Sequence, residues 1–380
     1  MNSAKVRESL RPHGRIAPNC KSCLHFADCG GIEPELNLFN IDCVEANCCR
    51  TGIGNDAILP PCDNVCPNNP AYLDQLREVG GLTFDKIPSI SQSSIEIPRY
   101  IPLTYRRYKK RMTVNWPMVA LDTYEVVSLN KNRMETVANC PSTLRETFGL
   151  SPNTSVILRG VADDSPLERY WSYRRRDGIP HRLASLGVKL AVGPNFSHFL
   201  DVPRHDNLFN RKRQLICLNE FGESGLNPVP HLNAAQPGDW RFWGRFLSHN
   251  PSIAIVALEF QTGNRSSSEG DRAIAYFANL QQLAGRPLHP IVIGGTQFLE
   301  RIAAVFENAS FVDSMPFMKT VYRQSFVYLS PTGKHRWKKS PTATGESLDK
   351  LLIDNLQSYS GWLEKRWATA AERRASQPQS

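Results

Sequence analysis

The sequence predicts an α/β fold: a (β/α)8 TIM-like barrel with a small N-terminal cysteine-rich metal-binding module. Three observations predict it. The chain has 380 residues, 41% of them hydrophobic, enough to bury one large core. Beyond residue 112, short runs rich in Val, Ile and Leu recur between amphipathic stretches, the pattern of parallel strands covered on both faces. Eight of the ten cysteines fall between Cys20 and Cys66, a crowding that in a reducing compartment points to metal rather than to disulfides.

Residues 1–19 are polar and predict a flexible N-terminus without the apolar stretch of a secretory signal. No apolar run approaches the roughly 18 residues of a membrane span, so a cytoplasmic protein is expected. Residues 20–100 combine the cysteines with many Gly, Pro and Asn and little periodicity. A segment with so little core needs staples, and metal supplies them. Cys20, Cys23 and Cys29 follow the spacing Cys-x2-Cys-x5-Cys-Gly-Gly, Cys43, Cys48 and Cys49 come next, and Cys62 and Cys66 precede Pro67. Eight thiolates suffice for two four-cysteine sites, or for one cluster with cysteines to spare. The first spacing resembles an auxiliary iron–sulfur motif of radical-SAM maturases, and the last resembles the end of a ferredoxin run. An iron–sulfur cluster and tetrahedral zinc both suit such ligands. The radical-SAM signature Cys-x3-Cys-x2-Cys is absent from the sequence.

Residues 112–370 are expected to form the barrel. The predicted strands are "WPMVALD" (116–122), "SVILRGVAD" (155–163), "GVKLAVGPN" (187–195), "LNPVPHLN" (226–233), "IAIVALEF" (253–260), "HPIVIGG" (289–295), "ASFVDS" (309–314) and "SFVYLS" (325–330). Helical patterns lie between most of them, and "TQFLERIAAVFE" opens on a Thr suited to a cap. The last helix, from about residue 345, is expected to break near Gly361, and residues 371–380 to be disordered. An open doubly wound sheet satisfies the same strand count.

Catalytic side chains of a barrel stand at the C-terminal strand ends. Those ends carry Asp122, Asp163 with Asp164, Asn195, His231 with Asn233, Glu259 with Gln261, Gly294 with Gly295, and Asp313. A single acid there most often caps the next helix. A pair aimed into one mouth supplies a nucleophile and a general acid/base. Gly294 and Gly295 would let the backbone approach a flat ligand.

"VIGGTQ" followed by "FVDSMPF" resembles the end of the tRNA-guanine transglycosylase barrel, and "ALDTYE", "GPNFSHF" and "EFQTG" are similar to other stretches of that family. The likeness spans most of residues 115–330. It implies that Asp313 attacks C1′ of a guanosine nucleotide and that Asp122 takes the proton of the incoming base. It further implies that Asn195 and Gln261 bind the base edge. A segment like "NFSHFLDVPRHDNLFNRKRQL" also resembles an uncharacterised family of phage and plasmid proteins, a setting that suits the DNA-directed branch inserting 7-deazaguanines. The family's late zinc-binding cysteine cluster has no counterpart after Cys217.

A formal net charge of +9 favours a polyanionic partner. "TYRRYKKRM" interleaves Tyr105 and Tyr108 with Arg106, Arg107, Lys109, Lys110 and Arg111, and "KHRWKKS" sets Trp337 among Lys334, Arg336 and Lys338. Cations neutralise phosphate and aromatics stack on bases. "WSYRRRDG" is a third such run, and "NRKRQL" reads as a helix face. Three functions follow: guanine exchange in nucleic acid, DNA before tRNA; a non-catalytic nucleic-acid-binding accessory protein on the same scaffold; or a hydrolase using the same acids.

Overall fold

The computed structural model describes residues 75, 77–81, 89–109, 111–198, 204–234, 237–261, 264–329, 333–343 and 345–376. The expected flexible N-terminus, all eight clustered cysteines and Lys110 lie outside the described residues. The chain divides into two compact units. One comprises Ser89–Asn195, Leu218–Leu232 and Trp243–Ser380; the other takes Phe196–Cys217 and Asn233–Phe242 with residues up to Pro88.

The first unit is an α/β barrel. Its strands are β1 (Tyr100–Thr104), β2 (Met118–Asp122), β5 (Ser155–Arg159), β6 (Leu190–Val192), β7 (Pro228–Val229), β8 (Ile255–Glu259), β9 (His289–Ile293) and β10 (Ser310–Asp313). Two antiparallel pairs, β3 (Val127–Asn130) with β4 (Arg133–Thr136) and β11 (Gln324–Leu329) with β12 (Lys334–Lys339), stand apart from the barrel sheet. The helices, in order, are α1 (Thr123–Val126), α2 (Pro141–Phe148), α3 (Asp164–Tyr173), α4 (Ile179–Ala184), α5 (Arg204–Glu223) and α6 (Pro237–His249). After them come α7 (Ser267–Ala284), α8 (Leu299–Ala303), α9 (Met315–Val321) and α10 (Asp349–Ala375).

All eight barrel strands are parallel and follow one another around the sheet, from β7 through β6, β5, β2, β1, β10 and β9 to β8. The remaining gap is bridged where His231 pairs with Ala257. Leu232 N–H donates to the Ala257 carbonyl at 2.9 Å, and Ala257 N–H to the Pro230 carbonyl at 2.8 Å. The seam is short because β7 is only two residues long. A side chain reinforces it. The buried Gln92 amide donates to the carbonyls of Pro228 (2.9 Å) and Ile255 (2.8 Å), and its oxygen accepts from the N–H groups of Ala254 and Ile255. The sheet is thereby nearly closed into a barrel.

Seven of the expected runs became barrel strands, but the eighth did not. Residues 325–329 belong to β11, a hairpin partner of β12, and the missing barrel strand is β1. The barrel therefore begins before residue 112: β1 pairs β2 on one side and β10 on the other. Inward residues alternate with outward ones. Ile101, Leu103, Met118, Ala120, Ile157, Leu190, Val192, Val229, Ile255, Ala257, Ile291, Ile293 and Val312 fill the interior. The interleaved residues face the helices, as Phe311 does against Trp367 at 6.2 Å.

The long helix α10 packs on α8, α9, β1 and β11. It passes Gly361 without a break and runs through residues expected to be disordered, as far as Ala375. The Thr296 segment opens as a 3-10 turn with Gly295 at its start and no side-chain cap, so the expected Thr cap is not used. Among the described residues no helix is long and apolar enough to cross a membrane. In the second unit, the basic stretch 211–213 lies within α5 and its side chains are buried. Arg211 pairs with Asp239 there, and the Arg213 guanidinium lies 4.1 Å from the Phe196 ring centre.

Candidate active site

Strand alternation decides which polar groups reach the mouth. Asp122 follows the inward Ala120 and Arg159 follows the inward Ile157, while Glu259 follows the inward Ala257. These three side chains stand at the C-terminal ends of β2, β5 and β8 and continue the interior rows into the mouth.

They form a connected network. Arg159 Nη2 donates to Asp122 Oδ2 at 2.8 Å and to the Val161 carbonyl at 3.1 Å, while Nη1 donates to Gln261 Oε1 at 3.3 Å. Asp122 Oδ1 accepts from Tyr124 N–H at 2.9 Å, which caps α1. Both members of the pair are largely enclosed, the side chains being 11% (Arg159) and 14% (Asp122) exposed. The Arg159 Nε–H is buried without an acceptor among the described residues. Asn195 Nδ2 donates to Glu259 Oε2 at 3.2 Å, and Asn195 Oδ1 accepts from Ala162 N–H at 2.9 Å. Burial pushes the Glu259 carboxyl above its usual range, and the Asn195 hydrogen bond and the Arg159 charge pull it back only in part.

Gly294 has φ of +73°, and a Cβ there would lie 2.4 Å from Gln261 Cγ. The glycine thus accommodates the Gln261 side chain, which occupies the space a flat ligand had been expected to approach. Asn195 and Gln261 both hydrogen-bond within this network, to Glu259 and from Arg159. Glu259 stood among the strand-end acids without a role, and Arg159 had none either. The signal for both is their place one step beyond an inward apolar row.

Asp313 is elsewhere. Val312 points inward, so Asp313 points outward, on the side covered by α10. Its Oδ2 accepts from the Tyr359 hydroxyl at 2.7 Å and its Oδ1 from Met315 N–H at 2.7 Å. Tyr100 O–H donates to its carbonyl at 3.2 Å. Burial raises the Asp313 carboxyl above its ordinary value, against the opposing pull of the Tyr359 and Met315 hydrogen bonds and of His335. The expectation that Asp122 and Asp313 share one mouth is therefore corrected: the two stand on opposite faces of the sheet.

The basic runs are also placed. Tyr105 packs against the barrel interior, and the exposed Arg106, Arg107 and Lys109 follow directly on the C-terminal end of β1. Tyr105 and Tyr108 each meet Phe317 edge-on or tilted at 6.0 Å, and the Arg107 guanidinium lies 4.9 Å from the Tyr108 ring centre. In β12 the side chains alternate. Lys334, Arg336 and Lys338 are exposed, whereas Trp337 is turned to the other face, against Phe326 at 5.3 Å and Tyr359 at 6.3 Å. Trp337, expected to stack on bases, is thus turned to the face opposite the exposed cations. The third run is consumed internally: Arg174 pairs with Glu220 at 2.7 Å and lies over Trp171 at 3.4 Å, and Arg176 pairs with Asp177. Asp163 and Asp164 are exposed at the start of α3, His231 is buried at the seam, and Asn233 donates to the Phe196 carbonyl at 2.6 Å in the second unit.

No group of three or more metal-ligating side chains occurs among the described residues. No protein-family model matches the chain, and no curated protein matches it at a significant level.

Proposed function

We propose that the chain is a barrel enzyme that exchanges a guanine base in nucleic acid, with its chemistry in the mouth around Arg159 and Glu259. One observation carries this reading: a buried arginine, fixed by Asp122 and Gln261, retains an Nε–H without an acceptor beside a carboxyl that burial favours in its protonated form. Guanine presents O6 and N7 as acceptors, which suit a guanidinium, and amino and imino donors, which suit a carboxylate or an amide oxygen. Arg159, Glu259, Asn195 and Gln261 supply that combination. The base reaches them only once unstacked from its strand.

In this scheme the inward Asp122, rather than Asp313, attacks C1′. The glycosidic bond breaks, guanine departs with a proton from Glu259, and a glycosyl-aspartate remains. The incoming 7-deazaguanine gives its proton to the Glu259 carboxylate and attacks the same carbon, releasing Asp122. Two carboxylates in one mouth are the arrangement that retaining glycosyl transfer needs. Asp313 holds α9 and α10 to the barrel.

The test is incorporation of radiolabelled guanine into a guanine-containing DNA oligonucleotide. Wild type incorporates label, and Glu259→Gln lowers the rate at least about 100-fold. An inactive wild type, or a fully active Glu259→Gln, rejects the scheme. A second reading, a non-catalytic nucleic-acid-binding protein, is favoured by one feature: both Asp122 oxygens already accept hydrogen bonds. It predicts oligonucleotide binding without incorporation.

A further inference from the structure

The barrel unit carries an open cavity of about 460 Å³, lined by Lys109, Arg111, Thr113, Arg323, Ser347 and Asp349 among others. Three cations converge on it. Its two acids are engaged by backbone: Asp349 Oδ1 accepts from Thr113 N–H at 2.5 Å, and Glu346 Oε2 from Ala343 N–H at 2.8 Å. Lys109 and Arg111 have no side-chain hydrogen bond or ion pair among the described residues, and Arg323 Nε donates only to Thr342 Oγ1. Arg323 has φ of +53°, a backbone that disfavours a long side chain.

The cavity lies between two other basic features. Lys109 belongs also to the rim run that begins where β1 ends. On the far side, Ser340 N–H donates to the Arg323 carbonyl at 2.8 Å, which puts the cavity at the open end of the β11–β12 hairpin. There, Lys334, Arg336 and Lys338 share one exposed face. Alternate strand residues recur about every 6.8 Å, comparable with successive phosphates along an extended strand. One band of positive charge thus runs from the rim, through the cavity, onto the hairpin.

We infer that this cavity is a phosphate subsite for the backbone of a single-stranded nucleic acid, with the hairpin face as its continuation. The inference rests on the reading that the substrate is nucleic acid, and it names the surface that holds the strand whose base enters the mouth. Lys109, Arg111 and Arg323 contact one or two phosphodiesters, and Lys334, Arg336 and Lys338 contact the next ones. These contacts carry no sequence information.

The experiment is fluorescence anisotropy of a labelled 20-nucleotide single-stranded DNA across a salt series. The proteins are wild type, Arg111→Ala/Arg323→Asn, and Lys131→Ala/Lys189→Ala as a control of equal charge loss elsewhere. Asn tolerates the left-handed backbone at position 323, and the melting temperature of each variant checks folding. The cavity variant is expected to bind about tenfold more weakly at low salt, with the slope of log affinity against log salt reduced by about 1.4. The control stays within about twofold of wild type. A second arm adds inorganic phosphate to each protein. Should phosphate raise the melting temperature of wild type while both variants bind DNA alike, the cavity takes a free anion and the inference fails. It fails equally if wild type does not bind DNA, or if cavity and control variants weaken to the same degree. Anisotropy reads binding alone and label incorporation reads chemistry alone, so a failure of base exchange is distinguishable from a failure of this subsite.

Discussion

Glu259 is subject to two opposed demands. Folding prefers it neutral, because burial penalises its charge, whereas a proton-handling role needs both forms within reach near neutral pH. A carboxyl raised above its unfolded value contributes its full stability below the unfolded pKa, about 4.3, and loses it as pH rises through the folded value. Glu259→Gln removes that loss. Its melting temperature should match wild type near pH 4 and exceed it increasingly toward pH 8, in step with lost activity. Asp313 is raised in the same direction but is present in both proteins, so its contribution cancels. A difference that does not vary with pH would show that the Glu259 carboxyl is not raised in the folded protein. The side-chain directions behind this were only partly legible in the sequence. Asp122, Glu259 and Asp313 all read as strand-end acids. Which of them enters the mouth depends on a one-residue parity, fixed only by knowing that Val312, not Phe311, faces inward.

At the scale of elements, runs such as "IAIVALEF" and "SVILR" were legible because buried parallel strands need apolar residues on both faces. β1 escaped notice because "YIPLT" contains a proline and adjoins a basic run, both signals of an edge or a loop. Residues 325–330 misled for the converse reason. Phe326, Val327, Tyr328 and Leu329 have strand propensity, but propensity does not choose between a barrel position and a hairpin. The β7–β8 seam was beyond sequence reasoning, since Gln92 acts there from 136 residues away along the chain. Replacing it by Leu leaves four backbone groups at the seam without their side-chain partner, and should destabilise the barrel by about 3 kcal/mol. The midpoint of urea unfolding measures this, and a shift corresponding to under about 0.5 kcal/mol would mean that the bridge at His231 suffices alone.

For the molecule as a whole, the band of exposed cations and the polar mouth belong to one unit, the barrel. Asn195 and Gln261 were legible as strand-end residues, since each closes an apolar run. The role of Arg159 was not, since an arginine inside "SVILRGVAD" reads equally as a strand interruption. The cysteine-rich segment remains a proposal founded on spacing: Cys20, Cys23, Cys29, Cys43, Cys48, Cys49, Cys62 and Cys66 hold iron–sulfur or zinc. Metal analysis of the purified full chain should find at least about one equivalent of iron or zinc, lost on replacing Cys20 and Cys23 by Ser. A metal-free wild type disproves it.

The central claim is that the reacting carboxylate faces into the barrel. Intact-mass spectrometry of the protein after incubation with a guanine-containing oligonucleotide, quenched in acid, tests it most directly. Wild type and Asp313→Asn should both show a covalent protein–nucleic acid species, and Asp122→Asn should show none. An adduct that survives Asp122→Asn and vanishes in a folded Asp313→Asn would move the chemistry to the outer face and contradict the account.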